Sequence, residues 1–184
     1  MQEQKKHLIK IPEPDPIYVR ASVSGKCNLN CVYCPKKEGM ENRVPDMLRG
    51  NNLTVEEYGR NLTHLARNGI RGISFTGGEP TLNPDLPEII TIARKIFERV
   101  ELTSNGFRLK ELLPRLSQNL DLLKISLDAV DATMVKQITK SNLNEINRAL
   151  EAIEAGYEAG LKVGINMVVM RSNISQIDCK NRVN

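Results

Sequence analysis

Tryptophan is absent, and aromatic residues make up only 4% of the 184-residue chain. Proteins that bind single-stranded nucleic acid stack bases on aromatic platforms, so this scarcity argues against a nucleic-acid partner. Nor is either sign of charge in excess: 26 Lys and Arg stand against 22 Asp and Glu, a formal +4. Such a balance at most favours a small anionic molecule. No apolar run approaches the roughly 20 residues a membrane helix needs. The N-terminal "MQEQKKHLIKIPEPDP" lacks the apolar core of a signal peptide. The sequence therefore reads as cytoplasmic, with no membrane partner. No G-x-G-x-x-G follows the first apolar strand, which disfavours a dinucleotide-binding Rossmann domain.

What is present is a regular alternation of strands and helices. Residues 1–16, with Pro12, Pro14 and Pro16, read as an irregular arm. A strand is predicted over 17–24, and the polar stretch 36–52 reads as loop. Thr54 and Glu57 have capping-box spacing ahead of an apolar stripe that Gly69 should stop. A strand over 72–76 precedes a helix capped by Asp85. A strand over 99–104 precedes a helix that Pro114 should shorten or kink. A strand over 122–127 precedes two helical pieces, 131–139 and 143–159, and a fifth strand is expected over 162–170. Connections of this length exclude hairpins and imply a parallel sheet with helices outside, of class α/β. Residues 17–175 make one core domain, which ends without a helix to cover the fifth strand, and 176–184 make a polar tail.

Cysteine is rare but concentrated. Three of the four, Cys27, Cys31 and Cys34 in "SGKCNLNCVYCPK", fall within eight residues; Cys179 is remote. This is not a disulfide framework, and in a reducing compartment such a cluster more often binds metal. Thiolates are the usual ligands of iron–sulfur clusters. Three of them leave one iron of a cubane open to a small molecule. Asn28 and Asn30 suit turns in the loop, with amides available to the sulfurs. The alternative is a zinc knuckle, but structural zinc wants four ligands and neither His7 nor His64 is near in sequence.

C-x3-C-x2-C with Tyr33 before the last cysteine, followed by "TGGEP" at 76–80, resembles the radical S-adenosylmethionine superfamily. The resemblance runs over roughly 17–175 and implies a partial (β/α)6 barrel of the TIM type, with about five parallel strands present here. It also implies a 4Fe–4S cluster on Cys27, Cys31 and Cys34, with S-adenosylmethionine chelating the open iron. One electron, from a donor such as flavodoxin or ferredoxin, then cleaves the sulfonium. The 5′-deoxyadenosyl radical so formed abstracts hydrogen from a small-molecule substrate. Gly77, Gly78 and Glu79 match the motif that binds the methionine part of the cofactor. The two glycines allow close approach to the backbone, and Glu79 would either anchor the amino group or brace the turn.

Several segments, among them "FTGGEPTL", "LTSNGFRL" and "EAGLKVGINMVVMR", are similar to one branch, the GTP 3′,8-cyclases of molybdenum-cofactor biosynthesis. That similarity implies substrate contacts at Arg20 and Thr103 and cofactor contacts at Tyr33 and Ser126. Plainer roles stand beside them: an outward-facing strand position for Arg20, a turn at Thr103 and Asn105, a satisfied strand end at Ser126, and a cap or turn at Asp128. The chain departs from the branch where Ser74 and Gly164 replace an arginine and a lysine. A triphosphate held by charge-assisted bonds would lose two cations there, which argues against GTP. The branch's sixth strand and its C-terminal cysteines have no counterpart, and Cys179 does not replace them. Three readings follow: a radical enzyme with a nucleotide-like or other small substrate, a truncated GTP 3′,8-cyclase, and a non-catalytic iron–sulfur remnant.

Overall fold

The structure, a computed structural model, describes residues 17–34, 53–141 and 144–177. The predicted arm, the loop at 36–52 and Cys179 lie outside the described residues. Five strands form one parallel sheet in the order β1-β2-β3-β4-β5: β1 Ile17–Ser22, β2 Ile70–Thr76, β3 Arg99–Ser104, β4 Leu122–Ser126 and β5 Val163–Asn166. Helices α1 (Val55–Arg67), α2 (Leu86–Ile96), α3 (Leu109–Leu116), α4 (Ala132–Thr139) and α5 (Asn144–Glu158) lie in the crossovers. A doubly wound sheet reverses its strand order partway along. Here each crossover steps one place in the same direction, so the helices collect on one face and leave the other to a barrel interior.

Strand parity shows the two faces plainly. Ile73 and Phe75 of β2, Val100 and Leu102 of β3, and Leu123 and Ile125 of β4 are all fully buried under the helices. They pack with Leu62 of α1, Ile89, Ile90 and Ala93 of α2, Leu109, Leu113 and Leu116 of α3, and Ala149 and Ala152 of α5. The spacing of three and four within each helix puts those residues on one stripe. The opposite parity carries the polar residues. Arg20 lies beside Ser74, Ser74 beside Glu101, and Thr103 beside Lys124. Lys124 in turn lies beside Gly164, and Ser126 beside Asn166. Parallel strands are usually apolar on both faces; a polar inner face belongs to an interior that holds a ligand.

Local sequence signals held in part. Thr54 and Glu57 make the full capping box at the start of α1. Asp85 occupies the N-cap of α2 but its side chain makes no cap bond; its own backbone N–H is held by the Asn83 side chain instead. Pro114 lies inside α3, which runs eight residues and gives way to a 3-10 turn at Ser117–Asn119. The fifth strand is shorter than its apolar run predicts. It ends at Asn166, because the Val168 N–H turns away to the Asp128 carboxylate. Helix α4 stands apart from the main core in a small cluster of Ala129, Val135, Ile138 and Ile146.

Candidate functional site

The cysteine loop leaves the C-terminal end of β1 and is held from two sides. On one side it is sewn to the turn after β2. The Val23 N–H donates to the Thr76 carbonyl, Gly78 N–H to Ser24 O at 2.7 Å, and Glu79 N–H to Lys26 O at 2.7 Å. Gly77 permits this seam. Its φ of +149° is uncommon for any other residue, and a Cβ there would stand 2.5 Å from the Ser24 carbonyl. On the other side the loop docks on the last turn of α4, where Asn30 N–H donates to Thr139 O and Val32 N–H to Ile138 O. Those carbonyls have no partner within their own helix, so the loop satisfies them.

Glu79 is 1% exposed. Its Oε1 accepts from Thr81 N–H, Thr81 Oγ1 and Ser104 Oγ, and its Oε2 from Asn105 N–H. It braces the turns after β2 and β3 against each other, one of the two roles open to it in the sequence. The glycines likewise serve the protein first, since the Gly78 and Glu79 N–H groups are taken by the loop. Among the described residues no donor reaches the Gly77 or Gly78 carbonyl. These carbonyls are the acceptors an ammonium group needs.

Among the described residues the three thiols form no disulfide; they are half-buried and line one pocket. Cys27 Sγ receives the Leu29 N–H at 3.4 Å and the Asn105 amide at 4.0 Å. Burial is the main cause that pushes the Cys31 thiol up to about 11, with the Tyr33 hydrogen bond opposing it. A thiol so placed becomes a ligand when a strongly positive centre compensates its charge. The Asn28 side chain accepts from Asn105 through Oδ1, while its buried Nδ2 has no acceptor among the described residues. An orphaned donor beside three cysteines fits the sulfur-rich, anionic surface of an iron–sulfur cluster. Among the described residues no three His, Cys, Asp or Glu side chains converge as they would around one ion. A cubane asks for less convergence, because each thiolate meets its own iron.

Tyr33 donates its hydroxyl to Asp128 Oδ2 at 2.6 Å. Burial, then that bond, holds its phenol protonated well above the usual range. The other oxygen of Asp128 accepts the Val168 N–H, and fully buried Asn173 donates to the carbonyls of Asp128 and Val168. Asp128 is therefore more than a turn residue. It ties the cysteine loop to the chain beyond β5.

The ligand, cofactor and substrate positions that the resemblance implies all border one pocket of about 230 Å³: Arg20, Cys27, Cys31, Tyr33, Cys34, Gly77, Gly78, Glu79, Thr103 and Ser126. Arg20 faces inward rather than away, and Thr103 belongs to β3 rather than to the turn, which Asn105 makes by accepting the Phe107 N–H. Sequence reading missed the inner wall below. There Glu101, 6% exposed, binds Lys124 at 2.6 Å and Arg99 at 2.7 Å. The signal for it was parity: Glu101 and Lys124 stand two residues before Thr103 and Ser126, so they share the inward face.

Comparisons with known proteins agree with this architecture. A family model for the Radical SAM superfamily matches residues 21–178. The chain is 36% identical to a probable GTP 3′,8-cyclase of Methanococcus aeolicus over 87% of its own length and 52% of the relative's. It is 35% identical to a GTP 3′,8-cyclase of Tolumonas auensis over 84% and 45% respectively. It thus spans about half the length of the curated relatives it matches. Among solved structures it is similar to Streptococcus suis SuiB bound to S-adenosylmethionine, with a TM-score of 0.66, 19% identity, and coverage of 92% of this chain and 38% of that one. With five parallel strands, an inward polar face and a three-cysteine loop at the strands' C-terminal ends, the chain belongs to the radical SAM superfamily, whose cofactors are a 4Fe–4S cluster and S-adenosylmethionine.

Proposed function

We propose that this chain is a radical enzyme that holds its cluster through Cys27, Cys31 and Cys34, binds S-adenosylmethionine beside them, and acts on a small molecule at the inner face. The observation that carries the reading is the cysteine loop itself. Three thiols border one pocket on a loop braced from both sides, next to two unused carbonyls. When bound, the cluster and S-adenosylmethionine supply reductive sulfonium cleavage and a radical that takes hydrogen from the substrate. The protein's own share is placement. Cys27 is kept in a field of N–H donors. The Gly77 and Gly78 carbonyls receive the amino group of the cofactor. Tyr33, locked by Asp128, presents a fixed ring edge, and Ser126 lines the same space. Thr103 and Arg20 face the substrate. An electron donor of the flavodoxin or ferredoxin class supplies the reducing equivalent.

A second reading, GTP 3′,8-cyclase, is favoured by the names of the relatives at 35–36% identity. Ser74 and Gly164 weigh against it, because they remove side-chain cations from the wall a triphosphate would need. Anaerobic reconstitution with iron and sulfide, reduction and addition of S-adenosylmethionine test the reading. Formation of 5′-deoxyadenosine is expected, and Cys31→Ala should abolish the cluster absorbance. A stable cluster with no cleavage would leave a binding protein without catalysis. A GTP-derived product would move the assignment to the second reading.

A further inference from the structure

The inner wall is built of three rows. The lowest is closed: the Tyr18 ring lies over Gly72, where even a methyl group would clash, and the Arg99 guanidinium sits 5.5 Å from that ring. The middle row is Arg20, Ser74 and Glu101 across β1, β2 and β3. The upper row is Thr103, Lys124 and Gly164. Two cations of this wall are spent on one carboxylate, since Lys124 and Arg99 both bind Glu101. Among the described residues Arg20 makes no ion pair or hydrogen bond. The buried hydroxyls Ser74 Oγ and Thr103 Oγ1, on residues 7% and 8% exposed, have no partner among the described residues. Buried polar atoms are rarely left without one. Arg20 also borders both the cysteine-lined pocket and the wall pocket containing Ser74, Glu101 and Lys124.

We propose that Arg20, Ser74 and Thr103 form the seat for a single oxyanion of the substrate, a carboxylate or a phosphate monoester, and that Glu101 is the specificity-determining residue that turns polyanions away. One guanidinium and two hydroxyls complete the coordination of one such group. Neighbouring strands lie about 4.8 Å apart. A second phosphoryl group running across the sheet from Arg20 therefore meets the Glu101 carboxylate within roughly two strand spacings. Running down the strands, it meets Tyr18. Lys124 stands next to Gly164, where a cation could have served a longer anion, but Glu101 already holds it. The substrate class is thus a small molecule with one anionic group placed toward the cofactor pocket. This deepens the reading of the inner face as the substrate side and rests on it.

The test reads anion binding on the full 184-residue chain without cluster or turnover, so its result is independent of 5′-deoxyadenosine formation. The Thr103 methyl and the Arg20 Nε are observed by NMR during titration with acetate, orthophosphate and tripolyphosphate at constant ionic strength. Saturable shifts with acetate or orthophosphate are expected, with tripolyphosphate binding no more tightly than orthophosphate; whichever simple anion binds better distinguishes the carboxylate from the phosphate monoester. Glu101→Gln should raise tripolyphosphate affinity at least tenfold while changing acetate or orthophosphate less than threefold. Arg20→Gln should remove the response to the simple anions. Tripolyphosphate binding the unaltered chain tenfold tighter than orthophosphate overturns the proposal. So does an unchanged anion ranking in Glu101→Gln, or the absence of any anion response at both reporters. If Glu101→Gln fails to fold, the ranking on the unaltered chain and the Arg20→Gln loss still decide.

Discussion

Among the described residues two glutamates are buried, Glu79 just past β2 and Glu101 on β3, and they are buried differently. Glu79 is surrounded by neutral donors, two hydroxyls and two backbone N–H groups, and none of its partners is a cation. Glu101 is held by two cations, and the unpartnered Ser74 and Thr103 hydroxyls are its neighbours on the wall. The first carboxylate closes its surroundings, and the second leaves an unfinished surface around it. A buried charge with complete neutral coordination is part of the scaffold. A buried charge among hydroxyls and an arginine that have no partner among the described residues is what the proposed anion seat rests on.

Breaking the first of the pair should cost most. Glu79→Ala orphans buried donors on Thr81, Ser104 and Asn105, each worth about 1–3 kcal/mol when left unpaired. A loss of about 3 kcal/mol or more in urea unfolding is expected, together with loss of cluster incorporation. A change under 1 kcal/mol would show that water takes over its bonds and that Glu79 is no brace. Gly77→Ala attacks the seam that Glu79 supports. Left-handed strain and contact with the Ser24 carbonyl should cost about 2 kcal/mol, and iron bound per chain should fall with it. The Glu101→Gln change sharpens the contrast. Lys124 and Arg99 are partly exposed and can return to water, so a stability loss of only about 1 kcal/mol is expected, alongside the altered anion preference. A loss as large as that of Glu79→Ala would place both glutamates in the scaffold. Smallest in consequence is Thr54→Ala at the N-cap of α1, which should cost about 1 kcal/mol of stability and leave cluster loading unchanged. It calibrates how much destabilisation alone reduces iron content.

The sequence made much of this legible because its signals were local. The capping box at Thr54 and the glycine stop at Gly69 concern a few adjacent residues. So do the cysteine spacing and the strand alternation, and each is found where the pattern puts it. What escaped was set by pairing at a distance. Asp128 reads as a turn until Tyr33 and Val168 converge on it. Asn173 sits in a polar stretch with no periodicity, yet it is fully buried because three backbone groups need its amide. The fifth strand stops short of its apolar run because Asp128 draws Val168 out of the sheet. Glu101 was hidden in plain alternation: "RVELTS" reads as a strand by its apolar residues, while the inward residues carry the wall.

The consecutive strand order has a consequence for how the protein is made. Each strand pairs with the one synthesised just before it, so the sheet can lengthen from one edge as the chain leaves the ribosome. The cysteine loop is on a different schedule. It emerges after β1, gains its first support with Thr76–Glu79, and its second only when Ile138 and Thr139 at the end of α4 arrive. Until then three thiols wait on a loop held from one side. On the proposed reading, a cluster inserted after α4 has docked would meet a finished cradle, and one inserted earlier would meet half of it.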